Sequence, residues 1–210
     1  MAQKSYKKKI HDKVTVYQTK KLPTGMKISR IMKSIEKTIP PHFLSEVEAL
    51  IIADLAKITK EERLLEGDTI FISNEHYCEP LLVENFTLTV GDSLYKRYSH
   101  IICDDLLIKE FLLKRRDLYY DLLTVFPKLA LSDFLSTESP ADFVRSIRKI
   151  EFEDVLSNTQ KYFVNYESSL SLENYFSHLF NAHMCGQIRK RDYKNFLSII
   201  KNIEKMCKEN

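Results

Sequence analysis

Apolar residues recur at helical spacing in several long stretches and at strand-like density in a few short ones. Ile28, Ile31, Met32 and Ile35 fall on one face of a helix predicted from Met26 to about Thr38. Ile39-Pro40-Pro41 ends it, because proline disfavours the α conformation in the residue before it. Residues 14–17 (VTVY), 47–53 (VEALIIA) and 69–72 (TIFI) carry the β-branched and aromatic residues of strands. A short charged helix is expected near Lys57–Glu66, followed by a turn at Glu66-Gly67-Asp68. From Pro80 onward the pattern is almost wholly helical: residues 80–98, Asp105–Phe126, a start at Ser139-Pro140, Glu151–Asn158, Leu170–Met184 and Lys190–Lys208. In Asp105–Phe126 the expected inward stripe is Ile108, Phe111, Leu112, Tyr119, Leu122 and Phe126, with Lys114, Arg115, Arg116 and Asp117 outside it. Gly186 reads as a helix-terminating turn. Two or three strands cannot enclose a core alone, so the helices must cover one face of a small sheet.

Four segments carry a resemblance that covers about Ile28 to Ile203. They are IPPHFLSEVEALIIADL (39–55), DTIFISN (68–74), the run from Ser93 through KEFLLKRRDLYYDLL (109–123), and SLENYFSHLF (171–180). Together they resemble a family of small zinc metallopeptidases with an HExxH helix, associated with tailed bacteriophage and viral metagenomic sequences. The resemblance implies a zincin-like α+β domain in which residues 80–98 occupy the place of the zinc helix. Such a helix works because two His four residues apart share one face and one ion, with a Glu beside the first as general base. Those places read Thr87, Leu88 and Gly91, and the family's downstream Glu ligand falls on Asn174. Leu has no donor atom, Gly has no side chain, and a lone Thr hydroxyl is a poor zinc ligand. A slip of one residue makes the ligands Leu88 and Asp92 and the base Thr89, with Glu173 beside the third position. A single Asp in that helix still makes no catalytic site, and the metal site is read as lost.

Charge changes the picture at the N-terminus. Residues 1–30 carry a net charge of +8 and the remaining 180 residues −5, so the total of +3 conceals a strong asymmetry. Residues 1–25 are read as a basic arm with one possible strand, and residues 26–210 as the metallopeptidase-like domain. Lys4, Lys7, Lys8, Lys9, Lys13, Lys20 and Lys21 are the candidate partner-binding residues of that arm, for protein subunits or for nucleic acid phosphates.

Composition narrows the remaining chemistry. Four glycines in 210 residues, with no P-loop, GxGxxG or GxSxG, exclude the usual phosphate cradles and the serine elbow. Cys78, Cys103, Cys185 and Cys207 form no CxxC pair, which favours free thiols in a reducing compartment. A cluster of Cys185, His183 and His178 is disfavoured because the two His lie about 140° apart around a helix. Asp104 and Asp105 suit a helix start better than a paired-carboxylate site with Glu110. KRYSH (96–100) and KRRDLYY (114–120) interleave basic and aromatic residues, as a nucleic-acid surface would. Apolar runs are far too short to cross a bilayer, and the polar first nine residues lack the apolar core of a secretory leader.

The expectation is therefore a predominantly helical α+β protein, non-catalytic and without a cofactor. It would serve as a structural or interaction component of a tailed-phage particle (head–tail connector, neck or tail), assembled in the host cytoplasm with other protein subunits. The alternatives are an unrecognised metal-dependent hydrolase using Glu84, Asp92 and Glu173, or a nucleic-acid-binding regulator using the arm.

Overall fold

A computed structural model describes residues 4–19, 21–55, 62–75, 78–102, 105–125, 157–165, 167–189 and 191–209. The helix start expected at Ser139-Pro140, most of Glu151–Asn158, and Cys103, Asp104 and Lys20 lie outside these residues.

The architecture is mixed α/β, with one open five-stranded sheet. Strand β1 (Lys4–Ile10) turns into β2 (Val14–Gln18); helix α1 (Ile28–Thr38) then leads to β3 (Ala49–Ala53), β4 (Arg63–Glu66) and β5 (Thr69–Ser73). The spatial order is β1-β2-β3-β5-β4. The central pairs β2–β3 and β3–β5 are parallel, and the outer pairs β1–β2 and β4–β5 are antiparallel. A parallel pair needs a long crossover, which α1 supplies between β2 and β3. In β3 and β5, Leu50, Ile52, Ile70 and Ile72 are buried on one face, while Ile51 and Phe71 on the other are half-buried. One face thus builds the main core, as the period-2 pattern requires.

Two sequence expectations are corrected here. Residues 63–66 form strand β4 rather than the end of a charged helix. They pair with Thr69–Ile72 across a turn in which Gly67 adopts φ 57°, a left-handed conformation that glycine tolerates without strain. The sheet consequently has five strands, not two or three. The basic N-terminal region is also no separate arm. It contributes β1 and β2 to the sheet, and Ile10, Val14 and Val16 are fully buried in the common core. The hairpin tip is held by His11 and Asp12, both at positive φ. The His11 amide donates to Glu36 Oε1 at 3.1 Å and its ring Nε2 donates to the Ile39 carbonyl at 2.8 Å, tying the tip to the end of α1.

After β5 come α2 (Glu79–Arg97), the single turn α3 (Ser99–Ile102), α4 (Asp105–Val125), α5 (Leu172–Met184) and α6 (Lys194–Glu209). α1 and α6 are amphipathic surface helices: Phe196, Ile199, Ile200, Ile203 and Cys207 form the inward stripe of α6. α2 and α5 differ, because each is buried around most of its circumference. Ser171 caps α5 by accepting from the Asn174 amide at 3.0 Å. Gly186, at φ 70°, ends the helix; the following amide of Gln187 donates to the Ala182 carbonyl at 2.8 Å.

The inward stripe of α4 also differs from expectation. Leu107, Phe111 and Leu118 are buried, whereas Leu112 is exposed and Lys114 is largely covered. Lys114 turns inward because it finds polar partners there: Glu110 Oε1 at 3.2 Å and Tyr175 Oη at 2.9 Å. Tyr175 Oη in turn donates to Glu110 Oε1 at 2.6 Å, and Asn195 Nδ2 donates to Glu110 Oε2 at 2.8 Å. Glu110 therefore joins α4, α5 and α6, a structural role that a paired-carboxylate reading does not capture.

α2 crosses α5 at Gly91. A Cβ added there would lie 2.9 Å from Ser177 Cα and 3.1 Å from its Cβ, closer than packed carbons approach. Alanine gains about 1 kcal/mol of helix propensity over glycine, but forcing two backbones apart in a packed core costs about 1–3 kcal/mol. Gly91→Ala is expected to be net destabilising and Gly91→Val more so, by urea denaturation. A stability equal to or above that of the parent chain would show that the crossing is slack.

Candidate functional site

The zinc-helix comparison places its positions on α2, and the packing of that helix decides which of them can reach a ligand. Thr87 is fully buried and its hydroxyl donates to the Val83 carbonyl at 2.8 Å. Gly91 lies against Ser177, as described above. Neither opens onto a cleft. Leu88, Thr89 and Asp92, one residue further on, line a cleft of about 460 Å³ bounded by β4, α2 and the start of α5. Asn174 contributes its backbone amide to the α5 cap and does not line the cleft, whereas Glu173 does. Leu88, Thr89, Asp92 and Glu173 share the cleft, whereas the set Thr87, Leu88, Gly91 and Asn174 does not.

Electrostatics in the cleft is organised by Asp92. One carboxylate oxygen, Oδ2, forms an ion pair with the Arg63 guanidinium of β4, and the other, Oδ1, accepts from Ser177 Oγ at 2.6 Å. Both side chains of the pair are mostly covered, so the attraction is screened less than on an open surface. Burial, reinforced by the nearby Asp92 charge, pushes the Glu173 carboxyl above its ordinary value. Glu167, on the same cleft, goes the other way: contact with His178 holds it below the usual glutamate range, against the effect of burial. Its partner is fixed by a short relay. The Ser168 amide donates to Asn165 Oδ1 at 2.9 Å, which turns Asn165 Nδ2 toward His178 Nδ1, also at 2.9 Å. With Nδ1 accepting, the ring proton sits on Nε2, 3.1 Å from Glu167 Oε2, in a short but imperfectly aligned contact.

These residues do not fit a zinc ion. Leu88 presents methyl groups where the first ligand would stand, and Asp92 already has a resident cation in Arg63. The Thr89 hydroxyl donates to the Asn85 carbonyl at 2.7 Å and is no base. Among the described residues, no three His, Cys, Asp or Glu side chains converge on a common point. Of the alternative trio, Asp92 and Glu173 share the cleft, but Glu84 is exposed and is not part of its lining.

The other candidates resolve into structural roles. His178 contacts Glu167, His183 packs edge-on against Phe196 with ring centroids 6.1 Å apart, and Cys185 is exposed. They form no cluster. In KRYSH, Tyr98 is buried with its hydroxyl 3.4 Å from Cys207 Sγ, and Arg97 pairs with Glu46. In KRRDLYY, Lys114 belongs to the buried Glu110–Tyr175 group, where burial lowers its pKa despite the adjacent Glu110. Of the N-terminal lysines, Lys8, Lys9, Lys13 and Lys21 have exposed side chains; those of Lys4 and Lys7 and the whole of Lys20 lie outside the described residues. Sequence reasoning gave no role to Arg63 or to the His178–Glu167 pair. The signal for Arg63 was a cation in a segment otherwise read as a short charged helix.

The opposite shifts of the two cleft glutamates have opposite consequences. Glu173, raised in the fold, binds its proton more tightly when folded. Its contribution favours folding below the ordinary value of 4.5 and is lost as pH rises through the folded value. Glu167, lowered in the fold, stabilises above 4.5 and loses that contribution as pH falls through its folded value. Glu173→Gln is therefore expected to raise stability at pH 7, and Glu167→Gln to lower it, with both differences shrinking at pH 3 in denaturation curves. Changes of the same sign at pH 7 would refute this assignment. No protein-family profile, curated protein or solved structure matches the chain.

Proposed function

We propose that the chain is a non-catalytic structural or interaction protein on a zincin-like scaffold whose metal site has been emptied. The observation that carries the reading is the Arg63–Asp92 ion pair. In the cleft where the resembled peptidases would hold zinc, the carboxylate at the second ligand position is neutralised by a side chain of the protein itself. Leu88 at the first position and the backbone-bonded Thr89 at the base position point the same way. With Arg63 on Asp92, methyl groups at Leu88 and the Thr89 hydroxyl bonded to the Asn85 carbonyl, these positions would hold no metal-bound water.

The resemblance to phage-associated sequences directs the proposal to a tailed-phage particle, at the head–tail connector, neck or tail. There the basic surface of residues 1–30 would meet an acidic neighbouring subunit. Because β1 and β2 belong to the sheet, that surface is rigidly presented, and its role must be probed by charge reversal rather than by deleting residues that complete the core. Among the described residues no helix is long and apolar enough to cross a membrane.

Purified chain incubated with zinc or magnesium and then desalted is expected to retain well under one equivalent of metal by elemental mass spectrometry. It is also expected to show no cleavage of casein. Stoichiometric metal that is lost in the Asp92→Asn, Glu173→Gln double variant would overturn the pseudoenzyme reading. Mass spectrometry of purified virions tests the particle assignment, which requires the chain in fixed proportion to the other structural subunits.

A further inference from the structure

A second groove among the described residues lies away from the Asp92 cleft, between the edge strand β1 and helix α1. It encloses about 840 Å³. Its floor is aliphatic and thioether: Leu22, Met26, Ile28 and Met32. Five lysines line it, Lys8, Lys9, Lys21, Lys27 and Lys33, all with exposed side chains and none paired with a carboxylate among the described residues. Among the described lining residues only Asp12 and Glu36 oppose them, and Glu36 already accepts the His11 amide. β1 terminates the sheet order, so one of its backbone edges carries amides and carbonyls that no described strand pairs.

We propose that this groove binds an extended, acidic segment of a partner protein, added as a sixth strand beside β1 with its apolar side chains on the Leu22–Met32 floor. Three features converge on that occupant. An unpaired strand edge offers main-chain hydrogen bonds to any extended peptide. Alternate side chains of the added strand would face α1, where unbranched Met side chains adapt to varied apolar partners. The lysines select the sign. Lysine on an edge strand repels neutral or basic edges and so prevents indiscriminate pairing, but the same charges admit a strand rich in Asp and Glu. Their long stems also extend the apolar floor while the ammonium groups stay at the rim. Nucleic acid fits less well, because the described lining residues include no aromatic ring to stack a base and no arginine fork for phosphate. A free amphiphile would use the floor and the lysines but leave the strand edge unsatisfied.

This inference deepens the reading of residues 1–30 as a partner-binding surface, and it fails separately from it, since no groove residue touches the Asp92 cleft. The probe is a fluorescein-labelled octapeptide of alternating valine and glutamate, titrated with the full-length chain and followed by anisotropy. Binding is expected to weaken at least tenfold in the Lys27→Glu, Lys33→Glu double variant and to fall as salt rises. It should also be lost when alternate peptide amides are N-methylated, which removes strand pairing while leaving charge and side chains. Absence of binding by the parent chain would overturn the proposal. So would equal binding of an octaglutamate peptide or of the N-methylated peptide, or preferential binding of decanoate or oligothymidylate. Loss of the peptide signal in a metal-free, particle-associated chain would reject the groove alone.

Discussion

The close crossing of α2 and α5 is the contact on which the rest of the structure depends. Both helices are buried on nearly every side, so neither can shift without disturbing the sheet, α1 or the outer helices. Gly91 removes the one Cβ that would hold the two backbones apart, and Ser177 fills the space it leaves. The crossing also sets rotation about the α2 axis. With Gly91 against α5, Asp92 is turned outward into the cleft, where Ser177 and Arg63 meet its two oxygens. A packing constraint thereby determines which polar side chains reach solvent.

The cleft stays polar although its central carboxylate is already paired within the protein. Two carboxylates close together raise the cost of ionising both, and a metal ion is one way to offset that cost. Here Arg63, from the neighbouring strand, supplies the positive charge and leaves Glu173 as the strained member. A guanidinium pairs with a carboxylate through fixed N–H donors but activates no water. The Glu110–Lys114–Tyr175 group solves a similar burial problem by joining the Glu110–Lys114 ion pair to the Tyr175 hydroxyl through hydrogen bonds.

The basic N-terminal region has two jobs that its composition alone does not separate. Its apolar residues, Ile10, Val14 and Val16, complete the core, and Lys8, Lys9, Lys13, Lys21 and Lys27 remain outside. The alternation of a strand makes this division possible, because successive side chains point to opposite faces. Positive charge is consequently fixed to a rigid sheet edge beside α1, instead of being spread along a free tail. Ordering that surface before binding lowers the entropy lost when a partner arrives.

The sequence by itself determined the helices and strands whose hydrophobic period is regular. α1, α5 and α6 and strands β2, β3 and β5 were all legible within a few residues, because local spacing and stop signals such as Gly186 specify them. It also exposed the charge asymmetry and the absence of histidines from the zinc-helix positions. Tertiary structure alone decided the rest. Whether residues 63–66 are helix or strand depended on a partner strand across Gly67, and β1 became part of the sheet only by pairing with β2. Lys114 was drawn inward by Glu110 and Tyr175, which no helical wheel of α4 reveals. On α2, apolar and small residues occur all round, so periodicity could not say whether position 87 or 88 faces the cleft. Rotation of a buried helix is set by its neighbours, and here a missing methyl at Gly91 set it.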